Sequence, residues 1–117
     1  MKYMILLMLK ATPRWWVMSK DYRFNMFNRF FYPLLASYTD QIDVKVFNAE
    51  AFHTQVSDFI VLETIDLDKY YKFLQELKSS RLFTGEYFEM QDIMMGTENG
   101  FKEYAQNHVK EKAMSMN

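Results

Sequence analysis

Tyr3-Met-Ile-Leu-Leu-Met-Leu9 is an unbroken apolar run that Lys10 ends. Its length is that of a strand. Its lack of alternation predicts a central strand buried on both faces. It is far too short to span a bilayer, which takes about 20 residues. A secretory signal is not expected either, because Lys10 interrupts the run and no small-residue cleavage site precedes Pro13-Arg14-Trp15.

Both tryptophans of the chain follow at once, side by side at Trp15 and Trp16. A strand-to-helix loop is normally small and polar, and loops on a rigid scaffold carry binding groups. Two indoles there must cover a neighbour or meet a ligand. Arg14, Trp15 and Trp16 are therefore candidate ligand-binding residues, able to stack on a flat molecule and fix a carboxylate or hydroxyl. The competing expectation is that the indoles cap a subunit interface or an open end of the core.

Further along, Ser19 has the character of an N-cap. Phe27, Phe30, Phe31, Leu34, Leu35 and Tyr38 recur at helical steps, and Pro33 should kink or end that helix near Tyr32. Residues 41–47 alternate, with Ile42, Val44 and Val46 on one face and Asp43, Lys45 and Phe47 on the other. Residues 58–65 form a third strand, with Ile60 and Leu62 opposite Phe59, Val61 and Glu63. Asp66 caps a helix striped by Leu67, Tyr70, Leu74 and Leu77. Residues 86–95 form a fourth strand, with Phe88 and Met90 opposite Tyr87, Glu89, Gln91 and Ile93. Asn99-Gly100 opens a last helix through Val109, with a frayed tail from Lys110.

The order is β-α-β-β-α-β plus a terminal helix, the α+β, ferredoxin-like motif. One such domain occupies residues 1–117, with no internal repeat or linker. The sheet face away from the helices is mixed, while the first strand is apolar throughout. That combination predicts two subunits closing their sheets into a dimeric α/β barrel, a homodimer whose interior is half-polar; a solvated face is the alternative.

Composition limits the chemistry. At 117 residues, half of them hydrophobic and 18% aromatic, the chain can bury a core unaided. It has no cysteine, so disulfides, thiolate metal sites and cysteine nucleophiles are excluded, and a reducing, cytoplasmic compartment fits. The net charge of −1 is spread without a basic block, so neither nucleic acid nor a membrane is an expected partner. The Gly-rich phosphate cradles and the Gly-x-Ser-x-Gly elbow do not occur.

Glu63 and Glu89 share the mixed face. Paired carboxylates in a dry cavity can divide into acid and base, or simply take hydrogen bonds from Tyr87 or Arg14. His53 lies in the connection before Asp58, which could orient it as a general base near neutral pH. A histidine in a cavity is also a haem-ligand type, and a turn residue is the plainer expectation. His108 falls on the apolar stripe of the last helix and reads as packing. Glu50 and His53 have Glu-x-x-His spacing, but the di-iron design needs it twice on a four-helix bundle, so no metal is expected. Candidate catalytic residues are thus His53, Glu63 and Glu89. Lys45 and Tyr87 join Arg14, Trp15 and Trp16 as candidate ligand contacts.

Residues 1–15, Met-Lys-Tyr-Met-Ile-Leu-Leu-Met-Leu-Lys-Ala-Thr-Pro-Arg-Trp, resemble the opening of the darcynin family of small bacterial proteins. So do Glu50-Ala-Phe-His53, Val56-Ser-Asp-Phe59, Glu63-Thr64, Tyr87-Phe88-Glu89 and Glu98-Asn-Gly-Phe101. The resemblance runs from Met1 to about Phe101. It implies a ferredoxin-like fold of dimeric α/β-barrel type and no activity. Within it, Tyr3, Arg14, Trp15, His53, Asp58, Glu63 and Glu89 are the places to look. Other barrels of this type include cofactor-independent monooxygenases, decarboxylases and isomerases of aromatic compounds, and haem enzymes, an analogy of fold alone.

The expectation is a homodimer with no cofactor that binds a small aromatic or otherwise flat molecule in a barrel cavity lined by Lys45, Glu63, Tyr87 and Glu89. Any catalysis would be oxygenation, isomerisation or decarboxylation through His53 or a glutamate. The alternative is an interaction or sensor module whose aromatic residues only build the dimer.

Overall fold

The computed structural model describes residues 1–98; the helix expected from Asn99 to Val109 lies outside them. The chain forms β1 (Tyr3–Ala11), a single helical turn α1 (Pro13–Trp16), α2 (Lys20–Met26), a π-helical turn (Phe27–Phe31), α3 (Tyr32–Ala36), β2 (Asp43–Asn48) and β3 (Asp58–Thr64). Then come α4 (Leu67–Ser79), a short α5 (Arg81–Thr84) and β4 (Phe88–Thr97). The strands lie in the order β2-β3-β1-β4, each antiparallel to its neighbours, so the apolar run of β1 is central as its sequence predicts, but within the chain it is buried on one face and not on both. This is the ferredoxin-like α+β arrangement.

One sheet face carries the helices. Ile5, Leu7, Ile60 and Leu62 are fully buried there, with Phe73, Leu77 and Leu82. The opposite face presents Met4, Leu6 and Met8 of β1, Phe59, Val61 and Glu63 of β3, and Asp43, Lys45 and Phe47 of β2. All are exposed or half-exposed. Phe47 and Phe59 stack across the β2–β3 pair at 4.9 Å. The parity expected for β2 and β3 therefore holds.

For β4 it holds only in part. The register against β1 shifts between Met8 and Leu9: Met90 faces Leu9, but Asp92 faces Met8. Gln91 is the extra residue of a β-bulge. Beyond it the phase reverses, so Ile93 lies with Met90 on the helix side instead of opposite it. Asp92 and Met94 take the open side. The strand also begins at Phe88, which leaves Tyr87 in the turn before it.

The expected local signals appear in the helices. Ser19 accepts from the Tyr22 N–H at 3.2 Å. Asp66 accepts from the N–H groups of Asp68 at 3.0 Å and Lys69 at 3.3 Å, satisfying two donors at the start of α4. The α4 stripe buries Tyr70, Phe73 and Leu77, while Leu67 and Leu74 pack at its margin. Pro33 does disturb its helix: the wide turn at Phe27–Phe31 sits where its ring would crowd the Arg29 carbonyl.

Candidate functional site

The tryptophan pair is not in an irregular loop. Pro13 opens a one-turn helix, where its fixed φ and missing N–H are harmless. Thr12 ties that turn to the one before β4: its hydroxyl donates to the Glu86 carbonyl at 2.7 Å and its N–H to the Tyr87 carbonyl at 3.0 Å. Successive residues on a helix point roughly 100° apart, so the two indoles diverge. Trp15 is 4% exposed, with ring centroids 4.7 Å from Phe88, 5.0 Å from Phe27 and 6.2 Å from Tyr87. Trp16 is 43% exposed, and the Arg23 guanidinium lies over its ring at 5.3 Å.

Under that stack is an open cleft of about 310 Å³, bordered by Trp15, Trp16, Lys20, Arg23, Glu50 and Asp58. Asp58 opens β3 on the helix-facing side, opposite Leu9 and Asn48. Burial pushes its carboxyl above the ordinary value of 3.8; a hydrogen bond from Ser57 pulls it down, and the nearby Glu50 charge pushes it up. Ser57 is itself buried, and its hydroxyl accepts from the Ala11 N–H at 2.7 Å, which fastens the end of β1 to the start of β3. The Nε of Arg23 is buried and has no hydrogen-bond partner among the described residues.

A second recess of about 190 Å³ shares Trp16 and Glu50 with the first and adds Lys10, His53 and Gln55. Lys10 donates to the Gln55 side chain at 3.3 Å. His53 Nδ1 accepts two backbone N–H groups, from Gln55 at 3.0 Å and Val56 at 2.9 Å. These donors assign the neutral tautomer: the Nδ1 lone pair is in use and the proton is on Nε2. In that state His53 offers the recess a donor, not a base. No contact with Asp58 orients it, as had been expected; the backbone of its own turn does.

The other expected residues are not gathered into one place. Lys45 and Glu63 border a recess of about 410 Å³ on the open sheet face, together with Met4, Phe47 and Val61. Glu63 pairs with Lys2 at 3.1 Å. Glu89 shares that face but sits opposite Lys10, whereas Glu63 sits opposite Met4. Six residues of strand, roughly 20 Å, separate those positions. Within one chain the two glutamates therefore cannot act as a dyad. Tyr87 is turned toward the helix side, against Trp15, and Arg14 lies over its ring at 5.2 Å instead of at the cleft. Among the described residues no group of three His, Asp or Glu side chains is placed to hold a metal ion.

Arg23 and Lys20 were not anticipated. Lys20, Arg23 and Phe27 share one face of the helix that Ser19 opens, but no helical spacing ties them to Trp16, which ends the turn before it. Asp58 enters the sequence reading beside His53 and among the residues the resemblance points to. Its own signal is a charge in phase with Ile60 and Leu62 on the buried side of β3.

A family model described as Darcynin, a domain of unknown function, matches residues 2–117. Darcynin of Chromobacterium violaceum is 36% identical over 72 residues, covering 62% of this chain and 90% of that protein. Darcynin 1 of Acinetobacter baumannii is 35% identical over 72 residues, covering 62% and 79%. Among solved structures, chlorite dismutase from Candidatus Nitrospira defluvii in complex with imidazole superposes with a TM-score of 0.72 at 14% identity. A haem-binding protein from Thermus thermophilus superposes with a TM-score of 0.71 at 12% identity. Each match covers 81% of this chain, and the chain spans only 39% of either structure. At that identity the likeness is one of fold.

Proposed function

The chain belongs to the darcynin family, and from that premise we propose that it binds a small, flat organic molecule in the Trp16 cleft. The observation that carries this reading is the half-exposed indole, with Arg23 over its ring, bordering the same cleft as a partly buried carboxyl, Asp58. An exposed tryptophan held in one orientation offers a stacking surface at little ordering cost. A cleft of about 310 Å³ is at the small end of ligand sites, which run from about 300 to 1,000 Å³. If binding leads to chemistry, Asp58 is the group suited to move a proton, because its acid form is favoured by burial and it borders the cleft.

The haem that the Thermus thermophilus neighbour binds does not suit these residues. The one histidine among the described residues has its Nδ1 occupied and its proton on Nε2, which leaves no lone pair for iron. The recess beside it, about 190 Å³, is also small for a macrocycle.

The open sheet face supports a homodimer. Met4 is 47% exposed and Met94 58%, and Leu6, Met8, Phe59 and Val61 share that face. A second copy laid on that face would enclose the recess around Lys45 and Glu63.

Titration of the whole protein with small aromatic compounds, followed by tryptophan emission, tests the binding reading. Saturable change that Trp16→Ala removes supports it. Saturable binding that survives Trp16→Ala, or none at all, rejects the cleft as the site.

A further inference from the structure

We infer that the ligand of the Trp16 cleft is an aromatic carboxylate, with its anionic group taken by Arg23 and Lys20. This rests on the cleft being a site for a flat molecule, and adds what kind of molecule it is.

Arg23 is the reason. Its guanidinium lies over the Trp16 ring, 5.3 Å from the centroid. Its Nε–H is buried and makes no hydrogen bond among the described residues. With no exposed surface, Nε is out of an oxygen's reach, so an arriving carboxylate meets the terminal nitrogens of the fork, which are not closed off in this way and likewise make no hydrogen bond among the described residues. Among the described residues the one salt bridge is Lys2–Glu63 on the opposite face, so no carboxylate of the fold serves Arg23. A planar carboxylate matches the guanidinium fork in shape and charge.

The rest of the cleft agrees. Lys20 adds a second cation at the border. Glu50 opposes them, but Asp58 is displaced toward its neutral form by burial, which leaves the cleft net positive when that proton is on. A neutral Asp58 can donate to a carboxylate or hydroxyl of the ligand, whereas an ionised one would repel the carboxylate. The indole supplies the surface for the ring.

Benzoate and benzamide are the probes, alike in ring and planar head and different in charge. Titrated into the whole protein and followed by calorimetry, benzoate should bind at least about tenfold tighter than benzamide. Arg23→Gln should lower benzoate to the level of benzamide, and Arg23→Lys should recover part of the difference. Equal affinities in the unaltered protein would overturn the carboxylate inference and leave the flat-ligand reading standing. No saturable binding of either probe would overturn both. A benzoate preference that survives Arg23→Gln in a folded variant would remove Arg23 from the assignment. Should that variant not fold, Lys20→Gln replaces it: loss of part of the preference supports the cation pair, and an unchanged preference argues against it.

Discussion

Trp15 and Trp16 are neighbours in sequence with separate tasks. Trp15 is packed among Phe27, Tyr87 and Phe88, so Trp15→Ala should cost about 3–5 kcal/mol of stability. Trp16→Ala should cost within about 0.5 kcal/mol, because its ring is half in water. Chemical denaturation of both variants checks this, and equal losses would contradict the division. Asp58 gives a pH signature. Its folded-state pKa is raised, so the native protein holds that proton more tightly than the unfolded chain does. Stability from this group is then full below the ordinary value of 3.8 and falls as pH rises toward the folded value. Asp58→Asn should erase that decline. Melting temperatures of wild type and variant should run in parallel at low pH and separate as pH rises, with the variant gaining on the wild type. Parallel curves throughout would mean that burial of the carboxyl carries no such penalty.

At the scale of elements, the turn between α5 and β4 is the most constrained connection. A Cβ on Gly85 would lie 2.6 Å from the Tyr87 ring and 2.7 Å from the Arg81 carbonyl oxygen, and Glu86 follows at φ 61°. The carbonyl is backbone and cannot step aside, so Gly85→Ala should destabilise by about 1–3 kcal/mol and disturb the Arg14–Tyr87 stack; thermal unfolding reads the first effect. This turn also shows how far the sequence could be read. The run of β1, the alternation in β2 and β3 and the caps at Ser19 and Asp66 are local patterns, and each became the element it predicts. Tyr87 falls outside the strand because strand ends are set by hydrogen bonds from elsewhere: its N–H donates back to the Leu82 carbonyl of α5 at 3.1 Å. Ile93 was misplaced because a bulge leaves no mark in period-two alternation. The two glutamates were assigned the right face, but their separation depends on register between strands, which spacing along the chain does not contain. Of the expected contacts only Trp15 and Trp16 border the Trp16 cleft, because its cations come from the helix after the turn and its acid from the start of β3.

At the scale of the whole molecule, the sheet has one face covered by helices and one left with methionines, Leu6, Val61 and the stacked Phe47–Phe59 pair. An exposed apolar face of this kind marks an association surface. Placing a charge at its centre, as in Val61→Lys, should convert the expected dimer into a folded monomer, seen by light scattering coupled to gel filtration. A variant that stays dimeric would move the interface elsewhere. The Trp16 cleft lies on the helix side, so a monomeric variant should keep its ligand response. The bulge in β4 bears on what changes of length this architecture absorbs. Gln91 has no Cα partner on β1, so its removal leaves Met90 opposite Leu9 and Asp92 opposite Met8. Removing Ile93 would instead turn every later side chain through the sheet, carrying Met94 inward and Met95 outward. The strand thus holds one spare residue, and gaps between this chain and its kin should fall there in preference to the six positions that follow.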